Sequence, residues 1–318
     1  LEENKCLVSI LILTCNQEDT ILQTLESVSE QVTSFNYEII IGEDGSKDNT
    51  RKICEEFISS YSKKNIYLFS PFPNVGLIEN FKRLLFAAKG LYVAFCGGDD
   101  YWTDNQKLQI QIKFLESNPD YGLVHTNYKI YYQNEDRFEE LVFERSKGDI
   151  FRNLLSTNEI AAVTVMARKN LILEAIRNKI YDQGFLMEDY PMWLYISKKT
   201  KIGYIDKITA VWRKSDGSLS NSNNNLERFL FENSVLHIQS YFAEQSEYFN
   251  DLRDHLISKH REHLTIGYYN NWKKVARKSF VFLKKNNALQ SFDTKIYYKT
   301  KYSGIINFFK RIKQSLSI

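Results

Sequence analysis

The sequence predicts an α/β fold, with a mostly parallel sheet flanked by helices and a C-terminal helical appendage. Three observations predict it. Short apolar runs rich in β-branched residues alternate with segments of helical spacing through the first hundred residues. The runs contain almost no polar residue, as strands covered on both faces do. Strand patterning then nearly vanishes after Asn225.

Leu7 to Leu13 reads as the first buried strand. Ile21, Leu25 and Val28 follow at helical spacing, with Asn16 or Asp19 available as a cap. Tyr37 to Ile41 is a second strand, and "GEDGSKDNT" after it places Asp48 to cap the helix of Ile53, Phe57 and Ile58. Ile66 to Phe69 is a third strand. Ile78, Phe81, Leu84, Leu85 and Ala88 mark a helix stopped by Gly90, and Leu91 to Cys96 is a fourth strand.

Parallel sheets bind ligands outside the carboxyl ends of their strands. The segments Thr14 to Glu18, Gly42 to Ser46 and Gly97 to Trp102 are therefore expected to line one crevice. Thr103 and Gln106 are spaced as a capping box for a helix with Leu108, Ile112 and Leu115 on one face. Gly122 to Thr126 and Ala161 to Ala167 read as strands, Asn170 to Asn178 as a helix, and Ile202 to Ile205 and Ile208 to Arg213 as two short strands. "KSDGSLSNSNNN" is the clearest linker signal, which puts a boundary between residues 1–224 and 225–318.

At 318 residues with 43% apolar and 14% aromatic content, the chain can fill a substantial core. A net charge of +3 does not suggest a nucleic-acid partner. Four scattered cysteines without a CxxC pair read as reduced thiols. No apolar stretch approaches the roughly 20 residues that span a bilayer. No signal peptide is visible, so a cytoplasmic location is expected.

Three acidic features stand out. Asp44 ends the second strand, where it can accept hydrogen bonds from a base or ribose or serve as a turn residue. Asp99 and Asp100 set two carboxylates side by side in "FCGGDDYW", which costs energy unless a cation or donors offset the charge. Mg²⁺ and Mn²⁺ sites of one or two carboxylates plus substrate phosphates fit that need. Glu188 and Asp189 in "FLMEDYPMW" lie among apolar residues, a setting that raises a carboxyl pKa and suits a general base; an N-cap acid before Pro191 is the plainer reading. The chain lacks GxGxxG, GxxxxGK[ST] and GxSxG. His255, His260 and His263 do not share one helical face and read as part of a solvated helix.

Five stretches, "VSILILTCNQEDTILQTLESV", "YEIIIGEDGSKDNT", "NVGLIENFKRLLFAAKGLYVAFCGGDDYW", "LMEDYPMWLYI" and "WRKSDGSLSN", resemble in order and spacing the motifs of inverting family 2 glycosyltransferases with the GT-A fold. The resemblance spans Lys5 to Asn221. It implies transfer of a sugar from a nucleotide diphosphate donor, UDP-linked in most members, to an acceptor hydroxyl in bacterial capsule, O-antigen or exopolysaccharide synthesis. It also implies Thr14, Glu18, Asp44 and Asp99 at the nucleotide, and Asp100 with Asp99 on a divalent cation, Mn²⁺ or Mg²⁺. Asp189 matches the catalytic base and Glu188 its neighbour, while Arg213, Ser218 and Ser220 fall in a loop that closes over the diphosphate. Two departures stand out: Gly97 occupies a position where many members carry an acid, and Ser215 one where many carry histidine.

Beyond the matched region, Tyr297 to Ile318 combines an apolar helical face with Lys299, Lys301, Lys310, Arg311 and Lys313 and has no acid. It reads either as a helix packed on the protein or as a peripheral contact with the inner face of the plasma membrane, where a lipid-linked or glycan acceptor would be met. Two rival readings stay open: a nucleotide-sugar-binding protein that has lost turnover, and a nucleotidyltransferase.

Overall fold

The computed structural model describes residues 6–61, 65–71, 73–140, 145–214 and 224–303. The chain forms two compact units, Leu1–Asn223 and Asn224–Ile318.

In the first unit, strands β1 (Cys6–Thr14), β2 (Asn36–Glu43), β3 (Ile66–Phe69) and β4 (Tyr92–Gly97) alternate with helices α1 (Ile21–Ser29), α2 (Thr50–Ser60) and α3 (Leu77–Ala87). Then follow β5 (Tyr101–Trp102), α4 (Lys107–Ser117), β6 (Tyr121–Tyr132), β7 (Arg137–Glu140) and α5 (Phe151–Ser156). Last come β8 (Met166–Arg168), α6 (Lys169–Arg177), α7 (Asp189–Ser197) and β9 (Lys201–Lys214). The strands form one sheet in the order β3-β2-β1-β4-β8-β6-β9-β5, with β7 on β6. The pairing from β3 to β4 is parallel throughout. Beyond β4 it is mixed: β8 is antiparallel to both neighbours, β9 parallel to β6, and β5 antiparallel to β9.

Alternate residues of the central strands face opposite helical layers. Ile10, Ile12, Ile39, Ile41, Ala94 and Cys96 pack with Leu25 of α1 and Leu108 and Leu115 of α4. On the other face Phe95 meets Phe81 of α3 and Trp193 of α7. Removing apolar area from water on both faces, at roughly 25 cal/mol per Å², is why these strands tolerate so few polar residues.

Several expectations are corrected. No capping box forms at Thr103 and Gln106, because the Thr103 N–H pairs with the Thr209 carbonyl and the Gln106 N–H with Asp104 Oδ1, so α4 starts at Lys107. Neither Asn16 nor Asp19 caps α1; Thr20 holds that position, and Asn16 Oδ1 accepts from the Lys47 N–H. The expected strand from Ala161 to Ala167 is mostly a 3₁₀ turn over Ala162–Thr164, with only β8 pairing. There the Thr164 hydroxyl donates to the Ala161 carbonyl, a local bond that competes with a ladder. The two short strands around Ile202 and Ile208 are one strand, β9, with irregular register against β6.

The second unit contains α8 (Asn225–Ala243), α9 (Phe249–Tyr269), α10 (Lys273–Lys285) and α11 (Ser291–Lys301). Leu264, Ala276, Phe280, Leu283 and Ile296 form its core. His260 and His263 are buried here rather than solvated. Polar partners make that tolerable: His260 bonds Ser240 Oγ at 2.8 Å and stacks on Phe282, and His263 bonds Asn233 at 3.0 Å.

Candidate active site

The three strand ends expected to share a crevice are adjacent. Thr14 pairs in register with Glu43, and Leu13 with Gly97. The ladder runs one residue further on each side, with the Asp44 N–H on the Thr14 carbonyl (3.0 Å) and the Gly98 N–H on the Leu13 carbonyl (2.9 Å). Gly98 is required by this closeness: a Cβ there would stand 2.5 Å from Thr14 Oγ1 and 2.7 Å from Thr14 Cβ. Thr20, at the start of α1, donates its hydroxyl to the Gly98 carbonyl, and Thr24 within α1 donates its hydroxyl to the Asp100 carbonyl at 2.7 Å, with the Gly98 carbonyl 3.1 Å away. Helix α1 thereby holds the backbone of the acidic turn.

Asp99 and Asp100 crown this turn, closed by the Asp100 N–H on the Gly97 carbonyl. Asp100 Oδ1 accepts from the Arg213 N–H at 2.9 Å, while Arg213 Nε donates to the Asp99 carbonyl at 2.7 Å and another guanidinium nitrogen donates to Gln23 Oε1. Arg213 also lies 5.5 Å and 5.3 Å from the ring centres of Tyr101 and Tyr131. It is thus fixed as a brace of the turn. The remaining oxygens converge: the position a Cβ would take on Gly97 is 2.8 Å from Asp99 Oδ1 and 3.5 Å from Asp100 Oδ2. Asp99 therefore fills space that a side chain at position 97 would need.

Burial pushes the Asp99 carboxyl up, and Arg213 only partly opposes it. Burial and then repulsion from Asp99 push Asp100 well above the usual carboxylate range. The Arg213 charge lowers both carboxyls but does not outweigh their burial. Two adjacent carboxylates whose burial Arg213 only partly offsets fit a hard divalent cation. No group of three or more His, Cys, Asp or Glu able to hold a metal occurs among the described residues, so the other ligands would come from substrate or water.

The other nucleotide-side residues are tied into the scaffold. Asp44 accepts the Val75 and Gly76 N–H groups, one on each oxygen, both at 2.9 Å, and so anchors the loop before α3. Glu18 accepts from Asn49 N and Nδ2 at the start of α2, and the Thr14 hydroxyl donates to Gln17 Oε1. Sequence patterning passed over Glu43, which is fully buried and accepts from Ser46 N and Ser70 Oγ. Burial opposes its ionisation, but these hydrogen bonds prevail and lower its pKa. It also passed over Gln23, Thr20 and Thr24, whose roles depend on contacts distant in sequence.

Glu188 and Asp189 open α7, and Asp189 Oδ1 accepts the Tyr190 N–H at 2.6 Å. One turn later Trp193 packs edge-on against Phe95 at 5.7 Å, tying this helix to the strand that leads into Asp99 and Asp100. The Tyr181 hydroxyl donates to the Glu188 carbonyl. Burial and then Asp189 push Glu188 up to about 8; burial pushes Asp189 to about 6, with the Tyr190 N–H opposing it. No hydrogen bond joins this pair to the Asp99–Asp100 turn among the described residues. Ser218 and Ser220 lie outside the described residues.

The glycosyl transferase family 2 model matches residues 9–175. The chain is 33% identical over 217 residues to the Escherichia coli UDP-Glc:alpha-D-GlcNAc-diphosphoundecaprenol beta-1,3-glucosyltransferase WfaP, covering 67% of this chain and 80% of that protein. It is 35% identical over 162 residues to the uncharacterized protein Rv1520 of Mycobacterium tuberculosis, covering 48% of this chain and 46% of that one. The chain thus spans about half the length of its mycobacterial relatives. In fold it is similar to Staphylococcus aureus TarS 1–349, solved with UDP-GlcNAc, with a TM-score of 0.59, 16% identity and coverage of 95% and 92%. A mannosyltransferase from Pyrobaculum calidifontis, solved with GDP-Man and Mn²⁺, gives a TM-score of 0.55 at 13% identity, covering 94% and 85%. The family match over more than half the chain and the likeness to WfaP agree: this chain belongs to glycosyl transferase family 2.

Proposed function

We propose that the chain transfers a sugar from a UDP-linked donor to a hydroxyl of a lipid-linked glycan, with inversion at the anomeric carbon. The observation that supports it most is the buried Asp99 and Asp100 pair, only partly offset by Arg213, beside the ends of β1 and β2. Thr14, Glu18 and Asp44 form the nucleotide side. Asp99 and Asp100 would hold Mn²⁺ or Mg²⁺, which would supply Lewis-acid stabilisation of the diphosphate. Arg213 keeps both aspartates in place, and Ser218 and Ser220 belong to the closing loop.

Asp189 takes the acceptor hydroxyl proton as that oxygen bonds to the anomeric carbon and the bond to the diphosphate oxygen breaks. Burial raises both carboxyls of the pair, Glu188 further than Asp189 because Asp189 repels it, which favours Asp189 as the member that ionises first. WfaP is named for a UDP-Glc donor and a diphosphoundecaprenol-linked acceptor, which supports a UDP-sugar donor and a lipid-linked acceptor. No helix among the described residues is long and apolar enough to cross a membrane.

UDP release from a panel of UDP-sugars, with a GlcNAc-diphosphate lipid as acceptor and Mn²⁺, tests the reading. Asp189→Asn should lower turnover by about 10²-fold or more while leaving UDP binding within about twofold. Normal turnover in that variant would remove Asp189 as the base, and release unaffected by EDTA would remove the cation.

A further inference from the structure

The helical unit concentrates positive charge that the catalytic reading does not use. From Lys273 to the end of the chain there are twelve Lys and Arg and one acid, Asp293. Asp293 is fully buried and pairs with Arg261 at 3.2 Å, so it does not neutralise the others. Between α10 and α11 lies a cleft of about 350 Å³, lined by Lys273, Ala276, Arg277, Tyr297, Thr300 and Lys301. Ala276 and Thr300 are buried, and Tyr297 is fixed by stacking on Phe280 at 3.9 Å. Three cations therefore share a small recess floored by packed side chains.

None of the three has a carboxylate partner among the described residues. Lys301 lies over the rings of Tyr302 and Tyr298, at 5.1 Å and 6.0 Å. Lys273 and Arg277 stand one turn apart at the start of α10. That start has no acid in its first turn and no side-chain cap, so helix-end N–H groups and two cations point the same way electrostatically. Lysine is the wrong charge for a helix N-terminus, and the arrangement is unfavourable until an anion joins it. A planar guanidinium and two ammonium groups suit tetrahedral oxyanions in particular.

We infer that this cleft binds a phosphate-bearing anion, either a soluble phosphate or diphosphate or the phosphodiester headgroup of a lipid. The site is independent of the catalytic reading, because binding is measured without turnover. The test uses the full chain in two arms. Calorimetry with inorganic phosphate and pyrophosphate reads the soluble source. Co-sedimentation with phosphatidylcholine vesicles, with and without phosphatidylglycerol, reads the headgroup. The cleft variant is Lys273→Gln/Arg277→Gln/Lys301→Gln; the control, Lys284→Gln/Lys295→Gln/Lys299→Gln, removes equal charge from exposed positions outside the cleft.

Binding in either arm that falls by about tenfold or more in the cleft variant and by less than about twofold in the control supports the site. Which arm responds identifies the source. Equal loss in both variants, or no binding by the unmodified chain in either arm, overturns it. Lys301→Gln alone, at the exposed end of α11, keeps the test decisive if the triple variant loses helicity: it should cost about threefold, and no change would count against the site.

Discussion

At the residue scale, the charge state of four carboxyls is the chemically decisive property. Asp99 and Asp100 are pushed up, so the folded chain binds protons more readily than the unfolded chain above the ordinary carboxylate range. Stability without a cation then falls as pH rises through that window. Asp100→Asn keeps an oxygen for the Arg213 N–H but removes the charge, and should stabilise the metal-free protein at pH 7.5 by about 1–3 kcal/mol. Mn²⁺ should raise the melting temperature of the parent chain and leave that of the variant nearly unchanged; the reverse pattern in thermal melts would argue against a cation at the turn. Glu188 and Asp189 titrate as a pair, so kcat/KM should fall about tenfold per pH unit below about pH 6, and Asp189→Asn should abolish this limb. The acidic residues themselves were legible in the sequence. Their braces were not, because Arg213 is 113 residues from Asp100 and Gln23 is 190 residues from Arg213.

At the element scale, the site is a junction of strand ends held by α1. Gly98→Ala tests this junction, since the new Cβ meets Thr14 Cβ at 2.7 Å and no rotamer change of Thr14 relieves that contact. We expect a loss of about 1–3 kcal/mol in urea unfolding together with weaker UDP binding. Unchanged stability and binding would mean that β4 and β1 are free to separate. The apolar runs of β1 to β4 were readable because burial on both faces writes hydrophobicity into every position. β5 and β7 were not, because Tyr101–Trp102 pairs only through β9, and Arg137–Glu140 is a polar strand exposed on the edge of β6.

At the scale of the whole molecule, the two units should respond differently to acid. Burial depresses His260 to about 3 and His237 to about 4 and also lowers His263 in the helical unit, against one such ring, His125, lowered to about 4, in the first unit. The unfolded chain protonates these rings near pH 6.5 while the folded chain does not, so the contribution is intact above that pH and lost as pH falls towards the folded values. Each such histidine sets a slope of up to about 1.4 kcal/mol per pH unit. Hydrogen exchange at pH 5 against pH 7.5 should show α8 to α10 losing protection before β1 to β4. Simultaneous loss would indicate that the buried histidines do not limit the helical unit.

The order of strands and helices through β4, the acidic motifs and the family were set by local pattern, because periodicity and short motifs are properties of neighbouring residues. Folding alone decided what those motifs touch. It made Arg213 a brace beneath Asp99 and Asp100, turned Asp99 over Gly97, and put two histidines inside the helical unit. Burial and hydrogen bonding join residues far apart in the chain, and composition and spacing do not encode such pairings.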